Sequence, residues 1–70
     1  MNILIKNKGV IRYLRSRGIS YGELGAKIGM NESTIRRKIV GERPLAIDEW
    51  QRIIKAYPSL RYYEKKGETL

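Results

Sequence analysis

The side chains in this 70-residue chain that could do chemistry are hydrogen-bonding ones. There is no His and no Cys, so imidazole and thiolate chemistry and the usual zinc sites are excluded. A short run instead brings together Glu32, Ser33, Thr34 and Arg37 around two isoleucines four apart, Ile35 and Ile39. On a helix, Arg37 stands about 200° from each Ile and so points away from a core that buries them, and Ser33 shares its face. A planar guanidinium can donate two hydrogen bonds to guanine O6 and N7, worth about 1–3 kcal/mol of discrimination. A hydroxyl can contact either kind of base, and a carboxylate can accept from a cytosine amino group. The chemistry available is the reading of base edges in a duplex.

Stepping outward, the stretch Ser20 to Arg43 must position these residues. Ser20 is a good N-cap and Glu23, three residues on, completes a capping box, so a helix is expected from Tyr21. Leu24 and Ile28 share one stripe of it, and Gly29 supplies the left-handed residue that ends it. Met30 fills the turn, Asn31 caps a second helix over about Glu32 to Val40, and Gly41 stops that helix. Two short helices joined by a tight, glycine-bearing turn describe a helix-turn-helix, whose second helix enters the major groove by its N-terminal half.

The ordered set Leu24-Gly25-Ala26-Lys27-Ile28-Gly29-Met30-Asn31-Glu32-Ser33-Thr34-Ile35, followed by Gly41, resembles the helix-turn-helix of phage Cro and lambda-repressor type regulators. That family has a small residue after the Leu, Gly at the turn, an apolar residue next and a capping Ser, Thr or Asn. An Ile or Val follows four residues past the cap, and a Gly closes the second helix. The resemblance extends over roughly residues 7 to 57. It implies that the base-reading positions are Glu32, Ser33, Thr34 and Arg37. Gly25 departs from the Ala most common there, and should weaken the first helix of the pair by up to about 1 kcal/mol.

Phosphate contacts are expected from other residues. The free amides of Tyr21 and Gly22 at a helix start form an anion site, and Arg43, with Arg36 or Lys38, would grip the other side of the groove. Lys6, Lys8 and Arg12 add diffuse attraction. Three positions keep two readings. Tyr21 either donates to a phosphate or packs; Gly22 either admits a phosphate or a neighbouring backbone, with helix contact preferred for Gly25. Glu32 either reads a cytosine amino group or pairs with Arg36, four residues later.

The expected fold is all-α, a compact bundle of four to five short helices around the central helix-turn-helix. Residues 1–6 form an N-terminal arm in which Ile3-Leu4-Ile5 is an extended arm, a short strand or an early helical turn. The DNA-binding domain spans 7–57, with a first helix from Asn7 to Arg17 that buries Val10, Ile11 and Leu14 and ends at Gly18. A fourth helix over Ile47 to Tyr57 buries Trp50, Ile53 and Ile54. Residues 58–70 hold either a fifth helix, Leu60 to Lys66, or a strand over Arg61 to Glu64 that pairs with Ile3 to Ile5, and then a frayed tail over 67–70. Tyr57, Leu60, Tyr62 and Tyr63 exceed what so small a core should absorb, which points to a dimer interface.

Charge sharpens the choice of partner. The net charge is +8, and residues 1–43 hold ten Lys or Arg against three acids, whereas residues 44–70 hold five against four. Such asymmetry favours a polyanion. The expectation is a cytoplasmic transcriptional regulator that binds double-stranded DNA as a homodimer, with no cofactor, metal, membrane or small-molecule ligand. The alternative is a protein-interaction module, such as an antitoxin or anti-repressor, and depletion of Lys at protein interfaces weighs against it. Enzyme activity is not expected, because a core this small encloses no pocket for carboxylates or Lys to work in.

Overall fold

The caps and apolar spacings set where each helix begins and ends. The structure, a computed structural model, describes residues 1–69, without the side chains of residues 66–69. Its order is β1 (Asn2–Ile5), α1 (Asn7–Arg17), α2 (Tyr21–Ile28), α3 (Glu32–Val40), β2 (Leu45–Ala46), α4 (Ile47–Ala56), a 3₁₀ turn (Pro58–Tyr63) and β3 (Glu64–Thr69). The three glycines read as helix stops, Gly18, Gly29 and Gly41, are left-handed, with φ of 67°, 76° and 95°. The structure is mostly helical, as expected, but it also carries a three-stranded antiparallel sheet ordered β2-β1-β3.

That sheet decides between the readings open at both ends of the chain, and takes the short strand for Ile3 to Ile5. Residues 2–5 are no arm: β1 is the central strand, pairing Ile3 with Leu45 of β2 and Ile5 with Glu64 of β3. Alternation puts Ile3 and Ile5 inward, where both are buried. No helix spans Leu60 to Lys66. Pro58 opens a 3₁₀ turn, and the chain then extends, because β1 offers a free edge that a helix could not satisfy. The Lys6 N–H donates to the Tyr63 carbonyl (2.7 Å) where the two segments meet. The strand alternative had the right partner, but its segment lies a few residues further along. Residues 67–69, expected to fray, belong to β3; Leu70 lies outside the described residues.

β1, β2, the four α-helices and the 3₁₀ turn all contribute to one core. Ile3 and Ile5 meet Val10 and Leu14 from α1, Leu24 and Ile28 from α2, Ile35 and Ile39 from α3, Leu45, and Trp50, Ile53 and Ile54 from α4. Leu60 closes it, fully buried, so it is core and not dimer surface. Tyr57 and Tyr63 are half-buried against the same cluster. Tyr63 is absorbed by a position without a side chain: a Cβ on Gly9 of α1 would come 2.3 Å from its ring. Of the four residues read as an interface, only Tyr62 stands out, 72% exposed. The Trp50 indole N–H donates to Glu64 Oε1 (2.8 Å), which fastens the start of β3 to α4.

Gly25 has a structural reason. A Cβ there would lie 2.4 Å from the Met30 carbonyl oxygen, a backbone atom that cannot swing aside. The helix-turn-helix therefore closes more tightly than alanine allows. Gly25→Ala should gain about 1 kcal/mol of helix propensity and lose more than that by overpacking, which costs about 1–3 kcal/mol. The expected outcome of a thermal melt is a lower Tm; a raised Tm would show that the turn can relax.

Candidate nucleic-acid interface

The α2–α3 pair is built from its caps. Ser20 is extended, and its hydroxyl accepts from the Glu23 N–H (3.0 Å), starting α2. The Met30 N–H donates to the Gly25 carbonyl (2.8 Å) across the turn. Asn31 then caps α3: its Oδ1 accepts both the Ser33 N–H (3.1 Å) and the Ser33 hydroxyl (2.8 Å). Three further side chains lock the pair in place. The Asn7 amide donates to the Ile39 carbonyl (2.7 Å), tying the end of α3 to α1. Arg52 of α4 donates to the Ile28 carbonyl (3.1 Å) at the end of α2. Lys38 reaches both oxygens of Glu49 at 2.6 Å, tying α3 to α4. Asn7, the first residue of α1, thus braces α3, a task for which no local signal exists in the sequence.

Ser33 and Arg37 are exposed along one side of α3, while Ile35 and Ile39 are fully buried on the other. Glu32 is also exposed, but three residues before Ile35 and seven before Ile39 it lies in the first turn on the side that faces α2. Arg37 makes no ion pair among the described residues. Thr34 is only half-exposed, at the margin of this row. Ser33 has given its proton to Asn31, so toward solvent it can only accept. Glu32 likewise accepts only, whereas Arg37 only donates. Along this face α3 therefore presents an acceptor, Ser33, and one turn on a donor, Arg37.

Glu32 does not pair with Arg36. Arg36 lies nearer Glu42 (3.9 Å), a long and exposed contact worth little. The Glu32 carboxylate leans instead over the first turn of α2, where a Cβ on Gly22 would meet its Oε1 at 2.6 Å. That placement puts an acid against the amides expected to take a phosphate. Tyr21 is half-buried and packs on the core.

Lys38 is not available for a phosphate. Its side chain and that of Glu49 are 17% and 15% exposed, and a pair that well shielded holds its partner. Glu49 Oε1 also accepts from the Ala46 N–H (2.9 Å), which is the N3-to-cap half of a capping box whose other half alanine cannot supply. Arg36 and Arg43 remain exposed, and the Arg43 N–H donates to the Arg37 carbonyl (3.2 Å).

No protein-family model matches the chain, and no curated protein or solved structure matches it significantly. Among the described residues no helix is long and apolar enough to cross a membrane.

Glu49 generates a pH prediction. Burial works to raise its pKa, but the Lys38 ammonium and the Ala46 amide outweigh burial, so the carboxyl titrates below its ordinary 4.5. A depressed folded-state pKa contributes stability that is present above the unfolded value and lost as pH falls through the folded one. Glu49→Gln should lower stability by about 1–3 kcal/mol near neutrality. The difference in Tm from the parent should shrink as melts are taken below pH 4.5; a constant difference would show that the pair carries no such linkage.

Proposed function

We propose that the chain is a sequence-specific DNA-binding transcriptional regulator, a Cro-like repressor that lays α3 in the major groove of a two-fold related operator. One observation carries this reading. The N-terminal half of α3 holds exposed, hydrogen-bonding Ser33 and Glu32, with unpaired Arg37 one turn on, on a helix capped at both ends and fixed from behind. A groove of B-DNA accepts one such helix, and its base edges answer those groups. Ser33, Arg37 and Glu32 are the reading residues, with Thr34 at their edge. Arg43 and Arg36 supply phosphate contacts, and the amides of Tyr21 and Gly22 join them only where Glu32 swings aside.

The regulator acts by occupancy, blocking or assisting polymerase according to where its operator lies. We propose a homodimer, whose half-sites would lie about one helical turn, roughly 34 Å, apart. Tyr62 and the outer edge of β3, which has no partner strand among the described residues, are what the chain offers a second copy.

Selection of bound sequences from random duplexes at two salt concentrations tests the reading as a whole. Recovery of a two-fold related sequence is expected, and recovery of no preferred sequence would overturn specific recognition. Arg37→Ala should relax preference at one base pair per half-site, by about 1–3 kcal/mol, with the fold intact. An unchanged selection profile would remove Arg37 from the reading set. Arg43→Ala should weaken all duplexes alike and reduce the slope of log affinity against log salt by about one. A loss confined to the preferred site would make Arg43 a base reader instead.

A further inference from the structure

The largest uncompensated charge lies on α1, not on α3. No acid occurs among residues 1–22, which hold Lys6, Lys8, Arg12, Arg15 and Arg17. None of these enters an ion pair among the described residues, whereas two of the three cations of α3 do. Lys6 lies over the Tyr62 ring and Arg17 over the Tyr13 ring. Lys8, Arg12 and Arg15 are exposed on the side of α1 opposite Val10 and Leu14. Like charges three and four residues apart destabilise a helix, so this row is kept at a cost to α1.

Beside the row runs an apolar groove. Half-buried Ile11 lies next to Lys8, Arg12 and Arg15 on one side and shares a concave surface with Ile5 and half-buried Val40 on the other. Lys6, Lys8 and Lys65 stand at its rim. Val40 is seven residues along α3 from Ser33, about 10 Å beyond the start of the reading row.

We propose that this groove is a docking surface for an acidic protein segment that carries an apolar anchor. Complementary charge selects the partner: the rim cations attract carboxylates and steer their approach. The apolar floor selects a protein over a nucleic acid. A phosphate backbone would satisfy Lys8, Arg12 and Arg15 but would leave Ile11 and Val40 facing water. An amphipathic acidic helix satisfies both, seating a leucine-sized side chain on the floor and its carboxylates on the rim. The chain thus has two separate faces, one for each class of partner.

The test uses the full chain and a short labelled peptide of mostly Glu with two Leu four apart, compared with the same peptide bearing Ser at both. Fluorescence anisotropy should show the Leu peptide binding at least about tenfold more tightly. Ile11→Ser changes no charge and should cut that advantage to less than about threefold; Val40→Ser, on the other helix, should do the same if Ile11→Ser proves poorly folded by circular dichroism. Equal binding of the two peptides would overturn the proposal, as would an advantage that survives both substitutions. So would displacement of the peptide by an unrelated duplex, combined with a duplex salt slope lowered by about two in Lys8→Ala/Arg12→Ala, since the row would then belong to nucleic acid. The peptide assay contains no DNA, so its failure and a failure of base reading are told apart.

Discussion

Gly25 and the Met30 carbonyl share a space in which no β-carbon fits, and the angle between α2 and α3 depends on that approach. The constraint is expensive for α2. Its eight residues include Gly22 and Gly25, and each glycine forfeits about 1 kcal/mol of helix propensity. Burial more than offsets the loss. Leu24, Ile28, Ile35 and Ile39 are all within 5% of full burial, and each side chain of that size contributes about 1.5–3 kcal/mol. A helix of this length is unstable alone. It exists because its apolar stripe closes on α3 and α4, so the position of the exposed Ser33–Arg37 face is a product of packing rather than of local preference.

The same packing decides which cations are free. Arg36, Arg37 and Lys38 are consecutive, yet they meet three environments. Arg37 points outward and has no carboxylate partner among the described residues; Arg36 lies loosely beside Glu42; Lys38 is held by Glu49. A net charge of +8 is therefore a poor guide to where a polyanion would be held. Helical angle is a better one, because it separates cations that brace the fold from those left for a ligand.

Helix boundaries were legible because each is written locally. Ser20, Asn31, Gly18, Gly29 and Gly41 act through their own dihedral angles and hydrogen bonds, and α1, α2 and α3 run as their caps imply. The sheet was legible only in part: a C-terminal strand paired with Ile3 to Ile5 is one of two readings the sequence leaves open, but it marks neither β2 nor the bounds of β3. Nothing within residues 64–69 announces a strand, since its cause is the open edge of β1 and the Trp50 hydrogen bond to Glu64, both remote in sequence. The surplus of tyrosines was misleading for a related reason: Gly9 makes room for Tyr63, and the sequence shows the glycine but not what fills its place. Lys38 carried a partial signal. Three residues after Ile35 and one before Ile39, it sits at the core margin, but only the fold brings Glu49 opposite.

The direction of hydrogen bonding in the row gives the proposed recognition a grammar. Ser33 has its proton committed to Asn31, so it asks for a donor on the base edge. In a major groove the donors are the amino groups of cytosine and adenine. Arg37, four residues and about 6 Å further along α3, asks for acceptors, which guanine supplies as a pair. A base step rises about 3.4 Å, so the two demands fall roughly two steps apart. On the proposed reading, a half-site carries a cytosine or adenine where Ser33 reaches, and a guanine about two steps on. The cap that starts α3 thereby also narrows what α3 can read, because Asn31 fixes both the helix and the polarity of its first exposed hydroxyl.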